Sequence, residues 1–127
     1  MPPDTREIDA FDLPEWLGVE AVTWTASTGV HDGPLLSGEL SAGPDCLACD
    51  LLAADAAYPL PVLAEEWRRQ VHRAWTYGQV LLVEYDGRLT LATPGTGFTA
   101  DRVLEALGRL AKAVAASPAR FTATLRL

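Results

Sequence analysis

Cys46 and Cys49, in the run PDCLACDL, are the only two cysteines of the chain and form a C-x-x-C pair. Two thiols at that spacing can serve as a redox couple, supply half of a zinc site, or act as small apolar residues. The backbone decides between these uses. In a strand, residues three apart face opposite sides, and their Cα atoms stand about 10 Å apart, beyond the ~7 Å reach of a disulfide. In a helix starting at an Asp45 N-cap, the pair would occupy the first turn, where the helix dipole lowers thiol pKa. The segment 46–57 fits both forms. As a strand it continues a hairpin from LLSGELSA through AGPD; as a helix it sets Leu47, Ala48, Leu51 and Leu52 on one face. We take the strand, which leaves one thiol in the core and the other at the surface. In the helical alternative Cys46 is the nucleophile and Cys49 the resolving thiol.

Zinc needs four ligands, and only His31 and His72 are at hand to complete a Cys₂His₂ set. His31 falls in the loop TGVHDGP and His72 on the polar side of an expected helix, so each reads as a surface histidine and no metal is expected. The run GTGFTA, Gly95 to Ala100, fits G-x-G-x-x-A, a spacing that lets backbone amides approach a diphosphate. It follows one arm of a tight hairpin rather than a βαβ unit, so its glycines read as turn residues and no cofactor is expected. In EEWRRQVHRAW, Arg68, Arg69 and Arg73 are interleaved with tryptophans. The tryptophans share the apolar stripe of a helix, which puts them in the core rather than against bases. That leaves Arg68, Arg69 and Arg73 as candidate partner-binding residues. No nucleophile–histidine–acid trio is supported.

The elements that must hold these residues follow from periodicity. FDLPEWLG predicts one helical turn after a lead-in over 1–12. VEAVTWTAS and PLLSGELSA have strand character. PVLAEEWRRQVHRAWTYG predicts a helix with Pro61 in its first turn, an apolar stripe through Trp67, Val71 and Trp75, and a Glu65–Arg69 pair on its outer side. QVLLVEYDGRLTLAT predicts a hairpin, since Asp86-Gly87 suits a type I′ turn. Thr99 caps a helix to about Ala116, with Phe98 and Val103 placed as a hydrophobic staple. FTATLRL alternates as a last strand, with a short helix after Pro118 as the other option. The order predicts an α+β fold: a mainly antiparallel sheet of about five strands with two main helices packed on one face, in the order (α)βββαββα.

The 127 residues predict a single domain over 1–127, and with 49% apolar residues and four tryptophans a packed core is expected. No apolar run approaches the roughly 20 residues needed to span a bilayer. The start MPPDTREIDAFDLPEW lacks the basic region and apolar stretch of a signal peptide, so a cytoplasmic location is expected, with reduced thiols. The net charge of −7 is unevenly divided: residues 1–66 hold thirteen acids and one base, residues 67–127 nine bases and four acids. The acidic whole argues against nonspecific nucleic-acid binding. The division is read first as charges solvating two faces of one fold; the alternative is a basic face that docks an acidic protein partner.

Two resemblances bear on function. The element order from Asp9 to Ala116, with the acidity and the size, is similar to the type III secretion chaperone family, which implies a small cytoplasmic homodimer that holds segments of partner proteins. In its helical form the cysteine segment resembles thioredoxin, with LLSGELSA before Cys46, DLLAADAAY after Cys49, and the later hairpin and helix as parallels. It departs in having Asp45 where an aromatic is usual and Gln79-Val80 where a cis-proline dipeptide is expected. The leading expectation is thus a non-catalytic protein-interaction module, a dimeric chaperone or adaptor. The competing one is a thiol-disulfide oxidoreductase using Cys46 and Cys49.

Overall fold

The computed structural model describes residues 5–55 and 62–127. In chain order the elements are β1 (Thr5–Glu7), α1 (Trp16–Val19), β2 (Val22–Gly29), β3 (Leu35–Leu36), β4 (Gly38–Ala42), β5 (Asp45–Ala53), α2 (Glu65–Thr76), β6 (Leu81–Tyr85), β7 (Arg88–Thr93), α3 (Ala100–Ala113) and β8 (Phe121–Arg126), with 3₁₀ turns at Ala10–Asp12 and Pro118–Arg120. Pro61 lies outside the described residues. Residues 5–12, expected to be a flexible or weakly helical lead-in, carry β1 and the first 3₁₀ turn, whose Asp9 carboxylate accepts from the Phe11 amide.

The eight strands form one mixed sheet in the order β1-β6-β7-β5-β4-β2-β8, with β3 also beside β5. This overturns the expectation of about five mainly antiparallel strands and two helices. Two pairs are parallel: β5 with β7, and β2 with β8. The chain leaves β5, passes through α2 and β6, reverses at Asp86-Gly87 and returns as β7 beside β5, so the turn places β7 parallel to β5. After α3 it reaches the far edge and lays β8 along β2, which local alternation cannot foretell. The turn itself is as expected, with φ of 55° at Asp86 and 75° at Gly87.

The placement of the helices is also corrected. Strand alternation sorts the core into two clusters, one on each face of β5, β6 and β7. Cys49, Leu51, Leu82, Leu89 and Leu91 join Val103, Leu107 and Leu110 of α3 on one face. Leu52, Leu81, Val83 and Ala92 join Val71 of α2 on the other. The two helices thus cover opposite faces, and the strands between them are apolar almost throughout because both of their faces are covered. α3 buries five residues and α2 fully buries only Val71. With each large apolar side chain contributing about 1.5–3 kcal/mol, α3 is the more firmly anchored. Thr99 caps α3 by accepting from the Arg102 amide, with Phe98 and Val103 both buried beside it.

α2 covers only part of its face. Toward β8 that side of the sheet is open and polar, carrying Thr23, Thr25, Glu39, Ser41, Cys46, Thr122 and Thr124, none of them buried.

The run 35–42, expected as one strand, is split because its ladder to β5 breaks at Ser37-Gly38 while the register on either side is the same. A Cβ on Gly38 would stand 2.3 Å from the Trp24 ring. The indole crosses that position and donates from Nε1 to the Cys49 carbonyl at 2.8 Å. The free Gly38 amide donates to Asp50 Oδ1 at 3.2 Å. Side chains from β2 and β5 therefore satisfy groups that the broken ladder leaves unpaired.

Candidate functional site

β5 is extended, so the C-x-x-C pair is split between the two faces. Cys46 sits opposite Ser41 on the open side and is exposed; Cys49 sits opposite Leu89 in the core and is fully buried. Both are free thiols. Desolvation pushes the Cys49 thiol well above its ordinary pKa, with the Asp50 carboxylate adding to the rise and Arg88 opposing it. A resolving thiol must reach its partner and ionise. Cys49 is turned away from Cys46 and held protonated.

The histidines are not gathered either. His31 is exposed in the loop after β2 and His72 is exposed on α2. Among the described residues, no three His, Cys, Asp or Glu side chains converge as metal ligands. In the GTGFTA loop, Gly95 has φ of 123°, and a Cβ there would stand 2.9 Å from the Arg102 guanidinium. The positive φ accounts for this glycine, since the arginine tip could move aside but a residue with a Cβ would be strained.

A buried ion pair beside Cys49 was not expected from the sequence. Arg88 grips Asp50 with two bonds, Nε to Oδ2 at 2.8 Å and Nη2 to Oδ1 at 3.0 Å, and Nη2 also reaches the Gly38 carbonyl at 3.3 Å. The Asp50 side chain is 3% exposed and that of Arg88 is 43% exposed. Hydrogen bonding to Asp50 is the main cause raising the Arg88 pKa. The pair ties β4, β5 and β7 together at the ladder break. An acid within the apolar run CDLLAA was the available signal, because a buried carboxylate requires a partner.

The three candidate arginines stand on α2, with Arg69 and Arg73 exposed and Arg68 half-buried. Among the described residues none of them forms an ion pair, and the expected Glu65–Arg69 pair is not made. The remaining arginines are all committed. Arg6 pairs with Glu84 and Arg88 with Asp50. Arg109 bonds Glu105 and the Trp75 carbonyl and lies 3.4 Å from the centre of the Trp75 ring, which Arg102 also faces at 5.4 Å. Arg120 and Arg126 donate to the carbonyls of Val19 and Ser27.

A cleft of about 740 Å³ opens between the 7–12 segment, the start of β6 and the end of α3. Its lining includes Glu7, Asp9 and Asp12, Arg109 and Lys112, and the β6 end at Val80, Leu81 and Leu82. No described nucleophile–base pair faces it. No helix among the described residues is long and apolar enough to cross a membrane. In comparison with known proteins, the chain matches no family model, no curated sequence and no solved structure.

Proposed function

We propose that this chain is a non-catalytic protein-interaction module of the cytoplasm, a homodimeric adaptor or chaperone-like carrier that takes an acidic partner on the outer side of α2. One observation carries the reading. Among the described residues, the three arginines on α2 are the ones of nine that make no ion pair, carbonyl bond or ring contact, and they lie within six residues of one helix. A guanidinium with no partner in its own chain, as at the exposed Arg69 and Arg73, is free to grip a carboxylate with paired donors. Nothing in the surroundings of Cys46 and Cys49 favours thiol-disulfide exchange.

Fluorescence anisotropy with a labelled oligoglutamate peptide tests the reading. Wild-type protein is expected to bind at low salt and to lose affinity as salt rises. The triple variant Arg68→Ala, Arg69→Ala, Arg73→Ala is expected to bind about tenfold more weakly, since each exposed pair contributes about 0.2–1 kcal/mol. Arg6→Ala serves as the control for charge alone. A triple variant that binds at low salt as tightly as the wild type defeats the proposal.

A further inference from the structure

We infer that β8 is a self-association edge: two copies of this chain join with β8 antiparallel to β8 about a two-fold axis at Thr124, continuing one sheet into the next. The inference deepens the interaction-module reading by naming the dimer interface, and it uses no residue of α2. The two ends of the sheet are unequal. β1 is three residues long, Thr-Arg-Glu, with Arg6 clasped to Glu84, a short and charged edge that discourages further pairing. β8 is six residues long and contains neither proline nor lysine. Its one charge, Arg126, is folded inward onto the Ser27 carbonyl. Among the described residues nothing pairs on its outer side.

The backbone determines which groups are on offer. The Arg126 carbonyl accepts from the Val30 amide at 3.0 Å, so it points toward β2. Alternation then turns the peptide groups of Thr122 and Thr124 toward β2 and those of Ala123 and Leu125 outward. Ala123 and Leu125 are packed against the core yet remain half-buried. Their apolar side chains stop at the edge.

A second copy fits this edge with the two-fold axis at Thr124. A perpendicular two-fold axis keeps equivalent faces on the same side, so opposed residues must share a face. Centring the axis on Ala123 would oppose Arg120 to the partner's Arg126, a like-charge contact. Centring it on Thr124 opposes Ala123 to the partner's Leu125, small against large, and Thr122 to the partner's Arg126. Ala123 and Leu125 then exchange their outward N–H and C=O groups with the other copy on each side of the axis. The apolar stripe also runs unbroken into the second copy.

Sedimentation velocity and directed cross-linking test this. The wild type is expected at twice the 13.6 kDa chain mass. Thr124→Glu sets two carboxylates face to face on the axis and is expected to give monomer. Thr124→Lys does the same with two ammoniums, and mixing the two variants restores the dimer. Thr124 is exposed in the single chain, so circular dichroism of each variant should remain native. In a Cys46→Ser background, Thr124→Cys should cross-link under mild oxidant, because facing Cα atoms stand about 4.5 Å apart, within the bridging range of ~4.4–6.8 Å. Thr122→Cys should not, since the two copies of that residue stand about 13 Å apart in this register. A wild type that stays monomeric at its solubility limit overturns the inference, as does a dimer that survives Thr124→Glu. Oligoglutamate binding by the Thr124→Glu chain separates this outcome from the fate of the α2 reading.

Discussion

Cys49 couples the fold to pH. Its thiol is buried, and desolvation raises its pKa above the ordinary 9.0. The unfolded chain releases that proton at lower pH than the folded chain does, so this contribution to stability is whole below about pH 9 and is lost as the pH climbs beyond it. The urea midpoint is expected to fall between neutral and strongly alkaline buffer, and Cys49→Ala should show the shallower fall; equal slopes would refute the assignment. A thiol reagent added to native protein should label Cys46 at once and Cys49 only on unfolding. Simultaneous labelling of both would mean that β5 opens readily. Ala115 gives a third test. It ends α3 at φ of 63°, with the Ala116 amide bonded to the Ala111 carbonyl and the Ala115 amide to the Lys112 carbonyl, a Schellman arrangement. A residue with a Cβ is disfavoured there, so Ala115→Gly should stabilise by about 1 kcal/mol in thermal unfolding.

At the scale of elements, the break in the β4–β5 ladder is held by Trp24 on one face and by Asp50 with Arg88 on the other. Removing Arg88 strands a carboxylate that is 3% exposed. Arg88→Ala is therefore expected to cost about 3 kcal/mol, the low end for a buried pair because the arginine is partly solvated. Asp50→Asn in that background removes the stranded charge while keeping an acceptor for the Gly38 amide, and should regain about half of the loss. Simple additivity of the two changes would show that the pair is not a unit. The strands, hairpin and α3 were largely legible from alternation, Asp86-Gly87 and the Thr99 cap, because those signals act over a few neighbouring residues. The Asp50–Arg88 pair was not, because its partners are 38 residues apart and meet only when β5 and β7 align.

Across the whole molecule, the acidic first half and the basic second half do not separate into two bodies. β1, from the first half, pairs with β6 of the second, and β8, from the second, pairs with β2 of the first. The 5–13 segment belongs to the core: the Ile8 amide donates to the Leu82 carbonyl, and Ile8 and Leu13 pack on the α3-side cluster. Removing residues 1–12 takes Ile8 away and leaves Leu13, and is accordingly expected to cost about 2 kcal/mol, the worth of one large apolar side chain, measured as a lower denaturation midpoint. An unchanged midpoint would mark that segment as the lead-in its sequence suggests.

The sequence by itself determined the local grammar: an extended cysteine segment as the favoured form, the Asp-Gly reversal, the amphipathic stripe of α3, and arginines on the outer side of α2. These depend on residues within a turn or two of one another. Tertiary structure alone decided the two parallel pairings, the opposite faces taken by α2 and α3, the partner of Asp50, and which strand was left at an open edge. Those outcomes depend on which distant segments come together, and hydrophobic periodicity records that a face is buried without recording what buries it.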